Sequence, residues 1–137
     1  MSILRDVADH LTAVYAHGDV GGRPQTVPDG TAWFTVWNTD TRPPIEANDV
    51  VQHDVSLATV VHVKVIGWTW RQVADVSAVL DTRIRDGLTL TDAAVHLVTR
   101  ERTSGPTRDD SAHPEPGLYL NDLWFRIDHS PDLQDAS

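Results

Sequence analysis

From Val55 to Ile66 the chain runs Val-Ser-Leu-Ala-Thr-Val-Val-His-Val-Lys-Val-Ile, and in its second half valines alternate with polar residues. Successive side chains of a strand point to opposite faces, so Val61, Val63 and Val65 share one side and His62 and Lys64 the other. The β-branched residues suit such a pleated surface. A long, half-buried antiparallel strand is predicted, reaching Gly67. There the period changes. Val73, Val76, Leu80 and Ile84 recur at helical spacing, with Arg71, Gln72, Asp75, Asp81, Thr82 and Arg85 opposite. The pattern predicts an amphipathic helix over Arg71–Arg85, with Thr69 as N-cap and Gly87 as its end.

The remaining elements pack around this strand-to-helix unit. Ile3, Leu4, Val7, Leu11, Val14 and Tyr15 lie on one helical face, with Arg5, Asp6, Asp9 and Thr12 away from it, so the chain opens with an amphipathic helix capped near Ser2. Gly18, Gly21, Gly22, Pro24 and Pro28 predict a loop through about Gly30. Thr31–Asn38 alternates Trp33, Thr35 and Trp37 against Ala32, Phe34 and Val36, a strand with two apolar faces. One cover for it is the helix layer; the other is burial within the chain or a neighbouring subunit. Thr39–Asn48, with Pro43 and Pro44 adjacent, reads as a loop. Asp49–Asp54 either extends the central strand or forms a short separate one.

After the second helix, Leu88–Asp92 is a connection and Ala94–Arg102 alternates again, with Val95 and Leu97 opposed by His96, Val98 and Arg100. Thr103–Gly117 is rich in Ser, Gly, Pro and Asp and reads as a loop with little capacity to bury itself. Leu118–Asp128 is the last strand, with Tyr119, Leu123, Phe125 and Ile127 against Asp122, Trp124, Arg126 and Asp128. The order α-β-β-α-β-β predicts an α+β fold: an antiparallel sheet of about four or five strands with two helices on one face. The expected organisation is a single domain over residues 1–129 and a polar, acidic tail over 130–137.

Charge narrows the function classes. The chain carries 20 acidic and 11 basic residues, a formal charge of -9, which argues against docking on the outside of duplex DNA. There is no cysteine, hence no disulfide, thiolate metal site or cysteine nucleophile. Met-Ser-Ile-Leu-Arg-Asp at the start has no signal-type apolar segment, and the nearly uncharged run Val55–Val63 is too short to span a bilayer. The expected place is the cytosol or a particle assembled there.

No residue pattern carries catalysis. Among seven histidines, His53-Asp54 and Asp128-His129 are the nearest His-carboxylate neighbours, and no standard zinc spacing occurs, so neither metal nor cofactor is expected. His62 and His96 read as solvated or hydrogen-bonded strand histidines. Ser56, Ser77, Ser104 and Ser111 lack the strained turn of a serine nucleophile, and Gly18–Gly22 lacks the context of a phosphate loop. The five tryptophans are more informative. Helical period points Trp70 at the core and leaves Trp68 near the surface, where exposed aromatics favour interfaces; alternatively both seal the helix start. Trp33, Trp37, Trp68 and Trp70 are the candidate interface residues.

The first helix, the strand entering Gly67-Trp-Thr-Trp70, the helix Arg71–Arg85, the strand Ala94–Arg102, the long polar loop and the closing Gly117-Leu-Tyr-Leu-Asn-Asp-Leu-Trp-Phe-Arg-Ile127 together resemble the tail terminator, or tail completion, proteins of long-tailed bacteriophages. The likeness spans nearly the whole chain and includes no catalytic signature. It implies a non-enzymatic virion protein, assembled in the host cytoplasm, that caps the head-proximal end of the tail tube as a hexameric ring. Its implied partners are further copies of itself, the tail tube protein and a head-tail connector or stopper, with DNA passing through unheld and no membrane involved. Loops Thr39–Asn48 and Thr103–Gly117, with Arg102, Arg108, Asp109 and Asp110, are then expected to reach neighbouring subunits. Competing readings are another neck component, a monomeric ligand-binding or hydrolase domain, and a nucleic-acid regulator using Arg100, Arg102 and Arg108.

Overall fold

The valine alternation builds the centre of the molecule. In the computed structural model, which describes residues 3–42, 57–109 and 118–130, β3 (Leu57–Gly67) pairs antiparallel on one side with β2 (Trp33–Arg42) and on the other with β6 (Leu118–His129). Beyond them β1 (Gly18–Val20) runs parallel to β2, and β4 (Val95–Thr103) runs antiparallel to β6, giving the order β1-β2-β3-β6-β4. A sixth strand, β5 (Thr107–Asp109), also pairs with β6. Two helices, α1 (Ile3–Thr12) and α2 (Trp70–Asp86), complete the element set of the described residues. The fold is α+β and mostly antiparallel, as the residue pattern predicts.

Register decides which side chains meet. Phe34 opposes Val65 and Val36 opposes Val63, while Leu123 and Phe125 oppose Val63 and Val61 from β6. All are buried with Val7 and Leu11 of α1 and Val73, Val76, Leu80 and Ile84 of α2 in one apolar cluster. Both helices therefore cover the same face of the sheet. Burying each such side chain contributes about 1.5–3 kcal/mol, which is why the alternation and the helical stripe agree so closely with the observed layers.

The strand-to-helix junction is held by its own polar groups. Thr69 has extended backbone angles and its hydroxyl accepts from the Gln72 N–H at 3.1 Å. Gln72 reaches back, accepting from the Trp68 N–H at 2.8 Å and donating to the Gly30 carbonyl at 2.8 Å. Such caps contribute about 1 kcal/mol. Gly67 is required by proximity: a Cβ there would lie 2.8 Å from Val73 Cγ2 and 3.1 Å from Ala32 Cβ. At the far end Gly87 takes φ 154 and closes α2.

Several expectations are corrected. Gly18–Val20, predicted as loop, is strand β1, because a glycine lets its backbone slide under the Phe34 ring and pair with β2. The second strand does not stop at Asn38: it continues to Arg42 against the long β3, after a register shift between Asn38 and Asp40. Residues 43–54, including the expected Pro43-Pro44 turn and His53-Asp54, lie outside the described residues, as do Ser2 and the tail 131–137. The expected loop Thr103–Gly117 contains β5. It continues the line of β4 past a break at Ser104–Pro106, where Gly105 has φ 73 and Ser104 N–H donates to the Asp122 carbonyl.

The alternation of β4 is also broken. Register shifts between Val95 and Leu97, and between Arg100 and Arg102, bring Val95 and Val98 toward the core and leave Leu97 58% exposed. Each extra residue in a bulge reverses the side on which the following side chains emerge. Val14, expected on the first helix's apolar face, falls beyond the helix end and is exposed. Asp81, expected outward, is buried and bridges Arg85 at 2.7 Å and Arg100 of β4 at 3.5 Å, tying α2 to the sheet's edge.

Tyr15 follows α1 and donates its hydroxyl to the Ala32 carbonyl at 2.6 Å. Burial raises its pKa above the ordinary tyrosine value. The unfolded chain therefore gives up this proton first as pH passes about 10, so the tyrosine's contribution is complete below that pH and is lost as pH rises through the higher folded-state value. Urea midpoints of the wild type and Tyr15→Phe are expected to differ at neutral pH and to converge above about pH 10.

Candidate interaction surface

Because both helices cover one face, the opposite face of the sheet is left to the even-numbered residues of β3 and their partners. The register sets Trp37 beside His62 and His62 beside Trp124. Arg102 of β4 lies on the other side of Trp124. A continuous row results. The Trp37 and His62 rings meet edge to face with centroids 5.6 Å apart. His62 stacks on Trp124 at 4.7 Å with the planes 6° apart, and the Arg102 guanidinium sits 4.0 Å from the Trp124 centroid. Lys64 Nζ lies 6.0 Å from the Trp37 ring.

His62 Nε2 and Asp122 Oδ1 are 2.7 Å apart, so the imidazole is held by a hydrogen bond as well as by its stack. On the same face Arg126 Nε donates to Asp128 at 3.0 Å. Stacked and edge-to-face aromatic pairs, and a cation over an indole, each contribute about 0.5–1.5 kcal/mol beyond area burial. The row is thus held in place by contacts within the protein. Among the described residues, the indole N–H groups of Trp37 and Trp124 donate to no acceptor, and Lys64 and Arg102 have no carboxylate partner.

One end of this face holds a cavity of about 450 Å³ between the loop before β2 and the end of β3, walled by Trp33, Ile66, Trp68 and Leu118, with Arg23 and Asp29 at its lining. Of the four tryptophans singled out in the sequence, Trp33 and Trp68 meet here, Trp37 joins the row, and Trp70 stands apart from both sets of contacts. Trp70 is 56% exposed and Trp68 51%. The inward direction expected for Trp70 is corrected: it is the first residue of α2, at the margin of the buried stripe of Val73, Leu80 and Ile84, and it is exposed.

Arg102 belongs to the row. Arg108 is exposed on β5, Asp109 closes that strand, and Asp110 lies outside the described residues. Arg100 points to the helix side and binds Asp81, so it forms no common patch with Arg102. His129 is buried, 2.8 Å from the Thr59 hydroxyl, while Asp128 binds Arg126, so these sequence neighbours face opposite ways. Among the described residues no three His or carboxylate side chains gather as metal ligands. No helix among them is long and apolar enough to cross a membrane.

Sequence reasoning missed Trp124, His62 and Lys64 as parts of one surface. Alternation placed each on the correct side of its own strand. Which strand lies beside which, and in what register, was not legible.

The class of protein that the geometry defines is a two-layer α+β fold with an aromatic sheet face that, among the described residues, carries no helix. No family model matches the chain, and no curated protein matches it. Among solved structures, it is similar to a chain in the virion of a native gene transfer agent particle, with a TM-score of 0.65 and 14% sequence identity. The alignment covers 94% of this chain and 95% of that one. At that identity the likeness establishes the shared fold.

Proposed function

We propose that this protein is a structural, non-enzymatic subunit of a phage-type virion, and specifically that it caps the head-proximal end of a tail tube as a ring, stopping tube polymerisation and offering the surface to which the head is joined. The observation that carries the virion role is the end-to-end likeness to a chain of a gene transfer agent virion, in which neither protein has a large part left unmatched. The tail-end position rests on the order of elements around Gly67-Trp-Thr-Trp70, which resembles tail terminators. A ring subunit needs two different contact surfaces, since head-to-tail contacts that close make rings. The sheet face with Trp37 and Trp124, and the exposed Trp68 and Trp70, supply apolar area of that kind. The charge of -9 suits a conduit that repels phosphate and lets DNA slide.

The test is to image particles made without the gene. Tubes of uncontrolled length without heads are expected, restored to one length by supplying the protein. Tubes of normal length that merely lack heads would make it a connector instead, and normal virions would end the reading. The cavity beside Trp33 and Trp68 favours a second reading, a small-ligand domain. That reading predicts a monomer at all concentrations.

A further inference from the structure

The helix-free sheet face has a counterpart on the same molecule. On α2, Asp75, Val79, Thr82 and Asp86 fall on one stripe, since eleven residues at 100° each return to within about 20° of the starting direction. This stripe lies opposite the buried Val73, Leu80 and Ile84, and its members are exposed, Val79 by 44%. Among the described residues neither Asp75 nor Asp86 is hydrogen-bonded or ion-paired. Asp86 moreover ends the helix, where a carboxylate meets the negative end of the macrodipole and is disfavoured. Two unpaired acids with an apolar residue between them thus stand on one side of the protein. Two unpaired cations with ring edges between them stand on the other.

The spacings agree. Asp75 and Asp86 are about 16 Å apart along the helix axis. Lys64 and Arg102 are two strands apart and offset by two residues, about 12 Å between backbones, and their long side chains cover the difference. The groups of the row left without a partner are donors, an ammonium, a guanidinium and two indole N–H groups, while the carboxylate opposite Lys64 on this face, Asp122, is engaged by His62. The row therefore asks for carboxylates. A nucleobase fits it less well, because β3 and β4 flank β6 and the Trp124 indole is already filled by His62 on one side and Arg102 on the other.

We infer that the α2 stripe of one copy docks on the helix-free sheet face of a second copy, with Asp75 and Asp86 meeting Lys64 and Arg102 and Val79 lying over the Trp37, His62 and Trp124 ring edges. The inference rests on the ring reading and names its repeating contact. Stripe and sheet face are different surfaces, so the contact is head-to-tail and leaves one surface of each kind free on a dimer, to be used by further copies until the ring closes. One helix on a sheet buries less than the roughly 1,200 Å² at the lower end of stable interfaces. Each contact is accordingly weak and salt-sensitive, and closing a ring, in which every copy makes two, is what holds it.

Sedimentation velocity across concentration and salt tests it, with three variants: Lys64→Glu/Arg102→Glu, Asp75→Lys/Asp86→Lys, and all four together. Wild-type protein is expected to associate, more weakly as salt rises. Each two-site reversal is expected to weaken association by about tenfold or more, in line with close interfacial charge pairs, and the four-site variant to recover most of it. Recovery is the decisive readout, since a damaged fold would not be repaired by further changes. Rings that persist in both two-site variants overturn the contact while leaving the ring reading standing. A wild type monomeric at every concentration overturns the contact, and the gene-deletion particles then judge the ring reading separately. Retention of a single-stranded oligonucleotide that depends on Lys64 and Arg102, without self-association, would also overturn it and assign the face to nucleic acid.

Discussion

Phe34→Ala is expected to destabilise the protein by about 3–5 kcal/mol, the range for removing a fully buried aromatic ring. The ring is completely buried and is 6.5 Å from the Tyr15 ring. It also fills the space over Gly18, so closely that a Cβ on Gly18 would lie 2.0 Å from Phe34 Cζ. Removing it takes away the ring that packs on β1 and on the tyrosine beside that edge. Gly18→Ala, which overpacks the same point, is expected to cost about 1–3 kcal/mol. The two changes should not add. In the double variant the new methyl enters room vacated by the ring, and the loss is expected to fall short of the sum by about 1 kcal/mol or more. Equilibrium urea denaturation of the three variants measures this. Strict additivity would mean that β1 shifts away from Phe34 when substituted, and that the parallel edge strand is not fixed by the ring.

The second large effect is expected at Asp6. Its carboxylate is buried on α1 and accepts twice from Thr91, from the backbone N–H at 2.9 Å and from the hydroxyl at 2.8 Å. This joins the first helix to the connection after the second, whose Leu88 and Leu90 are also buried. Position in the first turn of α1 adds a favourable interaction with the helix dipole. Asp6→Ala is expected to cost about 2 kcal/mol, since hydrogen bonds to a charged acceptor are worth more than neutral ones but Thr91 is exposed enough for water to replace part of the loss. Asp6→Asn should cost roughly half as much, because the amide oxygen keeps one donor and its NH₂ opposes the other. A loss below about 0.5 kcal/mol on Asp6→Ala would show that Leu88 and Leu90 hold the connection without the carboxylate.

Neither effect was visible in the residue pattern. Phe34 was legible as a core strand residue, yet its partner Gly18 sat in a stretch whose glycines and prolines read as loop. Three residues carry too short a pattern to announce a strand, and β1 exists because β2 offers an open edge and Gly18 has no side chain to collide. Asp6 lay on the polar side of a helical period. Only the packing of the connection after α2 against α1 brings Thr91 to it, across most of the chain's length.

The functional surface divides in the same way. Helix stripe and strand alternation are local, with periods complete inside ten or so residues, so the sequence by itself determined β3, α2, its Thr69 cap and Gly87 stop, the last strand, and the sides on which His62, Lys64, Trp124 and Asp75 emerge. Tertiary structure decided the rest. The row Trp37–His62–Trp124–Arg102 needs four strands in one register, and a single-residue shift would send any of its members to the opposite face. The bulges in β4 did that to Leu97, and the pairing of β4 with β6 drew Arg100 toward the Asp81 carboxylate that periodicity had placed in solvent. These outcomes depend on energies of contact between residues far apart in the chain, which no local period records.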